Sequence, residues 1–468
     1  MVAARRSTTA RPTLYRLARP IAAMGLLIAV PMTTSAMATV ESQTRNELAR
    51  FMGVFQQVKA NYVEPVSDDA LIDGAISGML TSLDPHSGYL DVRDFANLRT
   101  QTDGEYGGLG LSVTMEDGAV KVIAPMAGTP GDRAGIKAGD YITHIDGVLI
   151  VGFELDEAVE KMRGRPGTDV RLTVVRPGRD EPMQLNLTRE EIQVRPVTWE
   201  VRDNVGVLTL STFSARAAEE LRSAMVSVER SLGRRPAGWI LDLRSNPGGL
   251  LDEAVNVSDL FLERGEIVSQ RGRRAGDVER YSAHAGDAAG GLPVIVLIDA
   301  GSASASEIVA GALQDQHRAL IMGETSFGKG SVQTVVPLSD TTALRLTTAR
   351  YYTPSGRSVQ EGGIVPDIRV PQISDPDYRS RPVFREADLR RHLVNETAID
   401  NRAVEEDTNP DPRFSQTAEQ VRAQGIEDFQ LHYALQTVTR LANNPRLAAG
   451  MRRSAGPAGR GTPVRTNR

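Results

Sequence analysis

The sequence predicts an α/β protein. Its main domain carries a largely parallel sheet, a smaller β-rich domain with short helices is inserted before it, and a helical segment stands at the start. Three observations predict this. Between residues 194 and about 372, apolar β-branched runs alternate with helical stretches, the pattern of strand–helix–strand units around a parallel sheet. Between 104 and about 190, short strands are broken by Gly-containing turns. Between 44 and about 82, apolar residues recur at helical spacing. A chain of 468 residues exceeds what one core usually serves, so two or three domains are expected.

Taken in order, the first twenty residues carry five Arg and no acid, and IAAMGLLIAVPM follows, an apolar run too short to span a bilayer. SAMA then sets Ala36 and Ala38 in an A-x-A arrangement. This is the pattern of a secretory signal peptide, residues 1–38, cleaved after Ala38, and it predicts an exported, soluble protein. No Cys follows the apolar run, which excludes lipidation there. The segment 39–103 is helical: Leu48, Phe51, Met52, Phe55 and Val58 form one stripe, Leu71, Ile72, Ile76 and Leu80 a second, and DPHSG stops the pattern. The β-rich domain occupies 104–190. The core, 191–373, runs from the strand VGVLTLSTF through a helix to the buried strand AGWILDL. The helix LLDEAVNVSDLFL, the buried strand PVIVLID and the helix SEIVAGALQDQ follow. The last segment, 374–468, is polar, with one late helix, IEDFQLHYALQTVTRLA, and a Gly/Pro/Arg-rich tail without the apolar content of a core.

Composition excludes several functions. The net charge is −5 with both signs interspersed, which gives no electrostatic footprint for nucleic acid. The absence of Cys rules out disulfides, thiolate metal sites and a cysteine nucleophile. The six His are scattered with no H-E-x-x-H pair, so no metal and no other cofactor is expected.

Within 104–190, GGLGL is followed by AGIKAGDYITHIDG. GGLGL alone reads as an ordinary glycine turn, but the two motifs in this order resemble a PDZ domain. In that family the first motif, here Gly107, Gly108, Leu109, Gly110 and Leu111, binds a peptide's terminal carboxylate while the peptide adds as a strand.

GETSFGKGS, residues 323–331, nearly spells a phosphate-binding loop, but Gly330 stands where Ser or Thr would hold magnesium. The following GSVQTVVPL is a strand, whereas a phosphate loop needs a helix whose N-terminus binds the anion. The nucleotide site is therefore rejected. Lys329 is either a surface turn lysine or a buried one whose pKa is lowered by desolvation, able to act as a general base. AGSASASEI, residues 300–308, follows a buried strand and opens a helix, which places serines at the edge of an α/β sheet. Ser304 and Glu307 also make an S-x-x-E capping box, so this stretch alone leaves cap and nucleophile both open. LDLRSNPGG, residues 241–249, ends a buried strand in a loop that is either a plain turn or a source of backbone N–H groups for an oxyanion.

Together GAISGMLTSLDPHSGYL, GGLGL, LDLRSNPGGLL, GSASASEI, ETSFGKGSVQT and YYTPSGRSVQEGGIVPDI resemble the C-terminal processing peptidases, also called tail-specific proteases. The resemblance covers about residues 45–372 and the late helix. It implies a crotonase-like Ser–Lys serine endopeptidase core with an inserted PDZ domain. It puts the nucleophile on Ser304, with Ser302 and Ser306 as neighbours, the base on Lys329, and the residue that orients the lysine on Gln333. It puts the oxyanion N–H groups on Ala305 and on Gly248 or Gly249, and gives His86 no catalytic part. It further implies a periplasmic enzyme, soluble or peripherally membrane-associated, acting on proteins with exposed C-termini. It implies a homo-oligomer, since relatives often dimerise through their N-terminal helices, and a lipoprotein adaptor such as some Gram-negative relatives need.

Overall fold

A computed structural model describes residues 31–116, 118–378, 380–396 and 412–444. Most of the leader and the basic tail lie outside the described residues. No helix among the described residues is long and apolar enough to cross a membrane. The chain divides into two compact units between Ala75 and Ile76.

The helical stripes at the start become α1 (Pro31–Asn61) and α2 (Asp68–Thr81). The break falls before Pro65, which disfavours helix at Glu64. Ser67 Oγ then accepts the Ala70 N–H at 3.2 Å, and Asp68 and Asp69 complement the positive helix end. On α1, Leu48, Phe51, Met52 and Val58 are exposed.

The second unit continues with β1 (Gly88–Leu90) and α3 (Val92–Asp103). Asp91 caps α3 by accepting the Asp94 N–H at 2.8 Å, and Gly104, at φ 75°, ends it. The β-rich domain comprises β2 (Glu105–Gly108), β3 (Leu111–Glu116), β4 (Ala119–Pro125), α4 (Pro130–Arg133), β5 (Tyr141–Ile145), β6 (Val148–Leu149), α5 (Leu155–Met162), β7 (Asp169–Val175), β8 (Met183–Thr188) and β9 (Glu190–Gln193). Its sheet runs β3-β4-β5-β7-β8, with β2 and β9 paired apart as a stem. Alternate residues Val120 and Val122, and Val170, Leu172 and Val174, point inward, and Leu109, Ala158 and Met162 close that core. β3 is an edge strand of that sheet.

The main domain contains β10 (Val197–Arg202), β11 (Val205–Leu210), α6 (Ala217–Leu232), β12 (Trp239–Asp242), α7 (Leu251–Asp259), β13 (Glu266–Gly272), β14 (Val278–Ser282), β15 (Val294–Ile298), α8 (Ala305–Asp315), β16 (Leu320–Gly323), β17 (Ser331–Pro337), β18 (Ala343–Tyr352), β19 (Ile368–Arg369), α9 (Ala418–Arg422) and α10 (Phe429–Asn443). One sheet runs β10-β11-β12-β15-β16-β19, antiparallel at β10 and parallel elsewhere. Leu208, Leu241 and Val296 pack one face of it against α6, α7 and α8. Val207, Ile240, Ile295 and Leu297 pack the other against α10. Arg244, just past β12, fastens that last helix through Asp242 at 2.6 Å and Asp428 at 2.7 Å. The sequence pattern led to a parallel sheet alone. The structure adds an antiparallel one, β1-β18-β13-β14 with β17 on β18, joined by pairings up to hundreds of residues apart that local periodicity does not reveal.

Candidate active site

Three loops leave the carboxyl ends of the adjacent parallel strands β12, β15 and β16, so the topology brings them together. They carry the Gly248–Gly249 pair, Ser304 and Lys329.

Ser304 sits between β15 and α8 at φ 55° and ψ −112°, a conformation rare for a residue with a side chain and costing about 1–3 kcal/mol. Its neighbours are committed to the scaffold. Ser302 Oγ donates to Leu243 O at 2.8 Å and Ser306 Oγ to Asn246 O at 2.9 Å, and both residues are fully buried. Ser304 is partly exposed, and its hydroxyl closes no cap hydrogen bond. The far half of the capping box does the work instead, as Glu307 Oε2 accepts the Ser304 N–H at 2.7 Å.

Glu307 also gathers the lysine loop. Its Oε2 accepts the Lys329 N–H at 3.0 Å, and its Oε1 accepts Gly328 N–H at 2.7 Å and Ser326 O–H at 2.6 Å. One carboxylate oxygen thus holds the backbones of both Ser304 and Lys329. Burial pushes the Glu307 carboxyl up to about 7, against the downward pull of its four donors. Tyr351, fully buried on β18, adds a second clasp: its hydroxyl donates to Ser304 O at 3.2 Å and to Lys329 O. Glu307→Ala strands these donors in the interior, at about 1–3 kcal/mol for each left unmet. The expected result is a loss of about 3 kcal/mol or more of stability in urea unfolding. A midpoint like that of the wild type would show that the carboxylate does not hold the loops.

Burial holds the Lys329 amine below the usual lysine range, Arg345 lowers it further, and Glu386, Glu307 and Asp84 oppose this. Gly248, at φ 107°, lies against Ser304: a Cβ there would stand 2.8 Å from Ser304 Cβ and 3.0 Å from the Ala305 nitrogen. The Gly248 N–H donates to Asn246 Oδ1 at 2.9 Å, which of the two glycines leaves Gly249 with the unengaged amide. Among the described residues the Gly249 and Ala305 N–H groups make no hydrogen bond, which leaves them for an incoming oxygen. Gln333 differs from expectation. Its amide donates to Ser331 Oγ at 3.0 Å and Thr347 Oγ1 at 3.2 Å, and no hydrogen bond joins it to Lys329.

In the β-rich domain, Leu109 O accepts Gly131 N–H at 2.9 Å and Gly110 O accepts Met126 N–H at 2.8 Å. These bonds fix the Gly107–Leu111 loop through its carbonyls. Gly110 has φ 69°, and a Cβ there would stand 2.3 Å from Thr129 Cβ, so the turn requires glycine. No hydrogen bond or ion pair among the described residues connects this loop to Ser304 or Lys329. Glu307 and Tyr351 are the site residues that sequence reasoning did not assign.

Comparisons with known proteins show which family the chain belongs to. Residues 204–370 match the family model for peptidase family S41, 121–176 that for a PDZ domain, and 29–93 that for the activating protease CtpB N-terminal domain. The chain is 48% identical over 373 residues to a carboxy-terminal-processing protease of Bartonella bacilliformis, covering 79% of this chain and 86% of that protein. It is 36% identical over 330 residues to carboxy-terminal processing protease CtpA of Bacillus subtilis, covering 70% of this chain and 69% of that protein. A carboxyl-terminal-processing protease of Synechocystis is 39% identical over 316 residues, 65% of this chain and 73% of that protein. The protein is a serine-type peptidase that carries a PDZ domain. The chain belongs to the carboxy-terminal processing protease family.

Proposed function

We propose that the chain is an exported endopeptidase in which Ser304 is the nucleophile and Lys329 the general base, and whose PDZ domain takes the free C-terminal tail of the protein being cut. In this reading the PDZ domain occupies 104–190 and the peptidase core 191–373. The observation that carries it is the single Glu307 oxygen accepting both the Ser304 and the Lys329 N–H. The neutral Lys329 amine removes the Ser304 proton as Oγ bonds to the scissile carbonyl carbon. The carbonyl π electrons move to its oxygen, which the Gly249 and Ala305 N–H groups receive. Collapse breaks the C–N bond, the lysine returns its proton to the departing amine, and water clears the acyl-enzyme by the same route. Export rests on the leader pattern; an oligomer and a lipoprotein adaptor are carried only as the family resemblance implies them.

The tail-recognition part is tested with paired peptides that differ only in a free or amidated C-terminus. The free carboxylate adds charge-assisted hydrogen bonds, so amidation is expected to lower kcat/KM by roughly ten- to a hundredfold. Gly110→Ala, which disturbs the carboxylate loop, should erase that preference while cleavage of the amide continues. Equal rates on both peptides with the wild type would refute tail recognition by this loop.

A further inference from the structure

The lysine loop is held from a second side by a segment outside both sheets. Among residues 380–396, Arg385 Nη1 donates to Thr325 O at 3.1 Å and to Ser326 O at 3.0 Å, and the Glu386 N–H donates to Phe327 O at 3.1 Å. The Glu386 carboxylate is fully buried. Its Oε1 accepts Gln360 Nε2 at 3.0 Å, and its Oε2 lies 2.8 Å from His86 Nε2. Gln360 in turn accepts the Gly330 N–H at 3.0 Å, one residue past Lys329. Glu386 therefore grips the lysine loop on both sides of Lys329, at Phe327 directly and at Gly330 through Gln360.

His86 belongs to the DPHSG turn. Its carbonyl accepts Arg345 Nε at 2.9 Å, and its N–H donates to Asp84 Oδ1 at 2.8 Å. Thr347 Oγ1 also donates to Asp84 Oδ1, at 3.0 Å, and Gln333 donates to Thr347 Oγ1 at 3.2 Å. The turn thus joins two buried carboxylates: Asp84, which holds β18 and through Thr347 reaches Gln333 on β17, and Glu386 of the C-terminal segment, which His86 contacts. A carboxylate with no solvent contact persists only where it is paired and hydrogen-bonded, and breaking such a pair is costly.

We propose that Glu386, itself held by His86, is a positioning residue for the chemistry of Lys329, acting through Gln360 and the Phe327 carbonyl to fix the loop that carries the base. This rests on the Ser–Lys reading above. The charged groups that face Lys329 come from four elements: Arg345 on β18, Glu307 on α8, Asp84 in the DPHSG turn, and Glu386 itself. Glu386 is one of three acids that favour the protonated amine there, so removing its charge favours the neutral one. That consequence separates a residue tuning the base from a merely structural one.

The test measures kcat and KM from mildly acidic to alkaline pH for the full-length wild type, Glu386→Gln, His86→Gln and Lys329→Ala. Glu386→Gln is expected to lose about tenfold or more in kcat with KM within about twofold, because a small displacement of a catalytic group is costly. The pH at which its remaining kcat rises should move lower. His86→Gln breaks the tie but leaves the carboxylate's charge, so kcat should fall without that downward shift. A wild-type kcat and pH profile for Glu386→Gln would overturn the proposal. So would a kcat loss that only tracks the folded fraction, with the profile unmoved. Should Glu386→Gln not fold, His86→Gln decides alone, and wild-type turnover in it overturns the proposal. Activity retained by Lys329→Ala would instead sink the Ser–Lys reading, whatever the Glu386 variants do.

Discussion

Ser304→Ala is expected to abolish peptide cleavage, by about four orders of magnitude or more in kcat, in a chain that stays folded. The two halves of this result have separate causes. The hydroxyl closes no cap bond, and the helix start is held by Glu307 accepting the residue's own backbone N–H, which alanine keeps. The stability change should therefore stay near the low end of what a lost cap costs, about 0.5 kcal/mol. Ser304→Gly sharpens the point. At φ 55° glycine is unstrained where serine is not, so this variant should be as inactive as the alanine one and more stable by about 1 kcal/mol. Urea unfolding and a fluorogenic peptide assay on both variants measure the two effects together. Near-wild-type cleavage by Ser304→Ala would end the assignment and turn attention to Ser302 or Ser306.

Lys329→Arg and Lys329→Met should both be inactive, and for different reasons. Arginine keeps the charge but does not deprotonate in a protein, so it offers no base. Methionine fills much of the space but has no amine. In the wild type, burial and Arg345 hold the lysine pKa below its ordinary value, and only the neutral amine accepts a proton. The rate should accordingly rise with pH through that lowered pKa and fall away on its acid side. Stability moves with pH in the same sense as the rate. Below the depressed pKa the folded state must hold a charge that burial disfavours, so the lysine costs stability there. The cost shrinks as pH rises toward the unfolded pKa, because the unfolded chain binds more protons in that window. Lys329→Met should thus unfold at no lower temperature than the wild type near neutral pH. Substantial activity in Lys329→Arg, or a marked stability loss in Lys329→Met, would mark the lysine as structural.

Much of this site was legible before any coordinates, because strand-to-helix turns write themselves locally. PVIVLID before SASASE, and AGWILDL before RSNPGG, put Ser304 and the two glycines at strand ends from neighbouring residues alone. What stayed hidden depends on contacts across the chain. Glu307 is visible in sequence as half of a capping box, but its grip on residues 326–329 is tertiary. Tyr351 lies in a strand whose pattern says only that it is a strand. The partners of Gln333, and the choice between Gly248 and Gly249, lie at the level of single hydrogen bonds, set by Thr347, Ser331 and Asn246. Glu386 falls in a polar stretch with no periodicity at all, so nothing local distinguishes it from a solvated acid.

The docking of α10 has a consequence for the order in which the enzyme can be made. Phe429, Leu431, Ala434, Leu435 and Val438 cover the face of the parallel sheet formed by Val207, Ile240, Ile295 and Leu297, and Asp428 supplies a charge partner for Arg244. All of these covering residues emerge from the ribosome after every strand they cover. Until then the nascent chain carries a bare apolar sheet, and Arg244 lacks one of its two carboxylates. A chain interrupted before residue 412 stays in that state, open to chaperones and to degradation by other proteases. The α10 helix therefore completes the domain late in synthesis: only a chain read through Asn443 can bury this face of its own sheet.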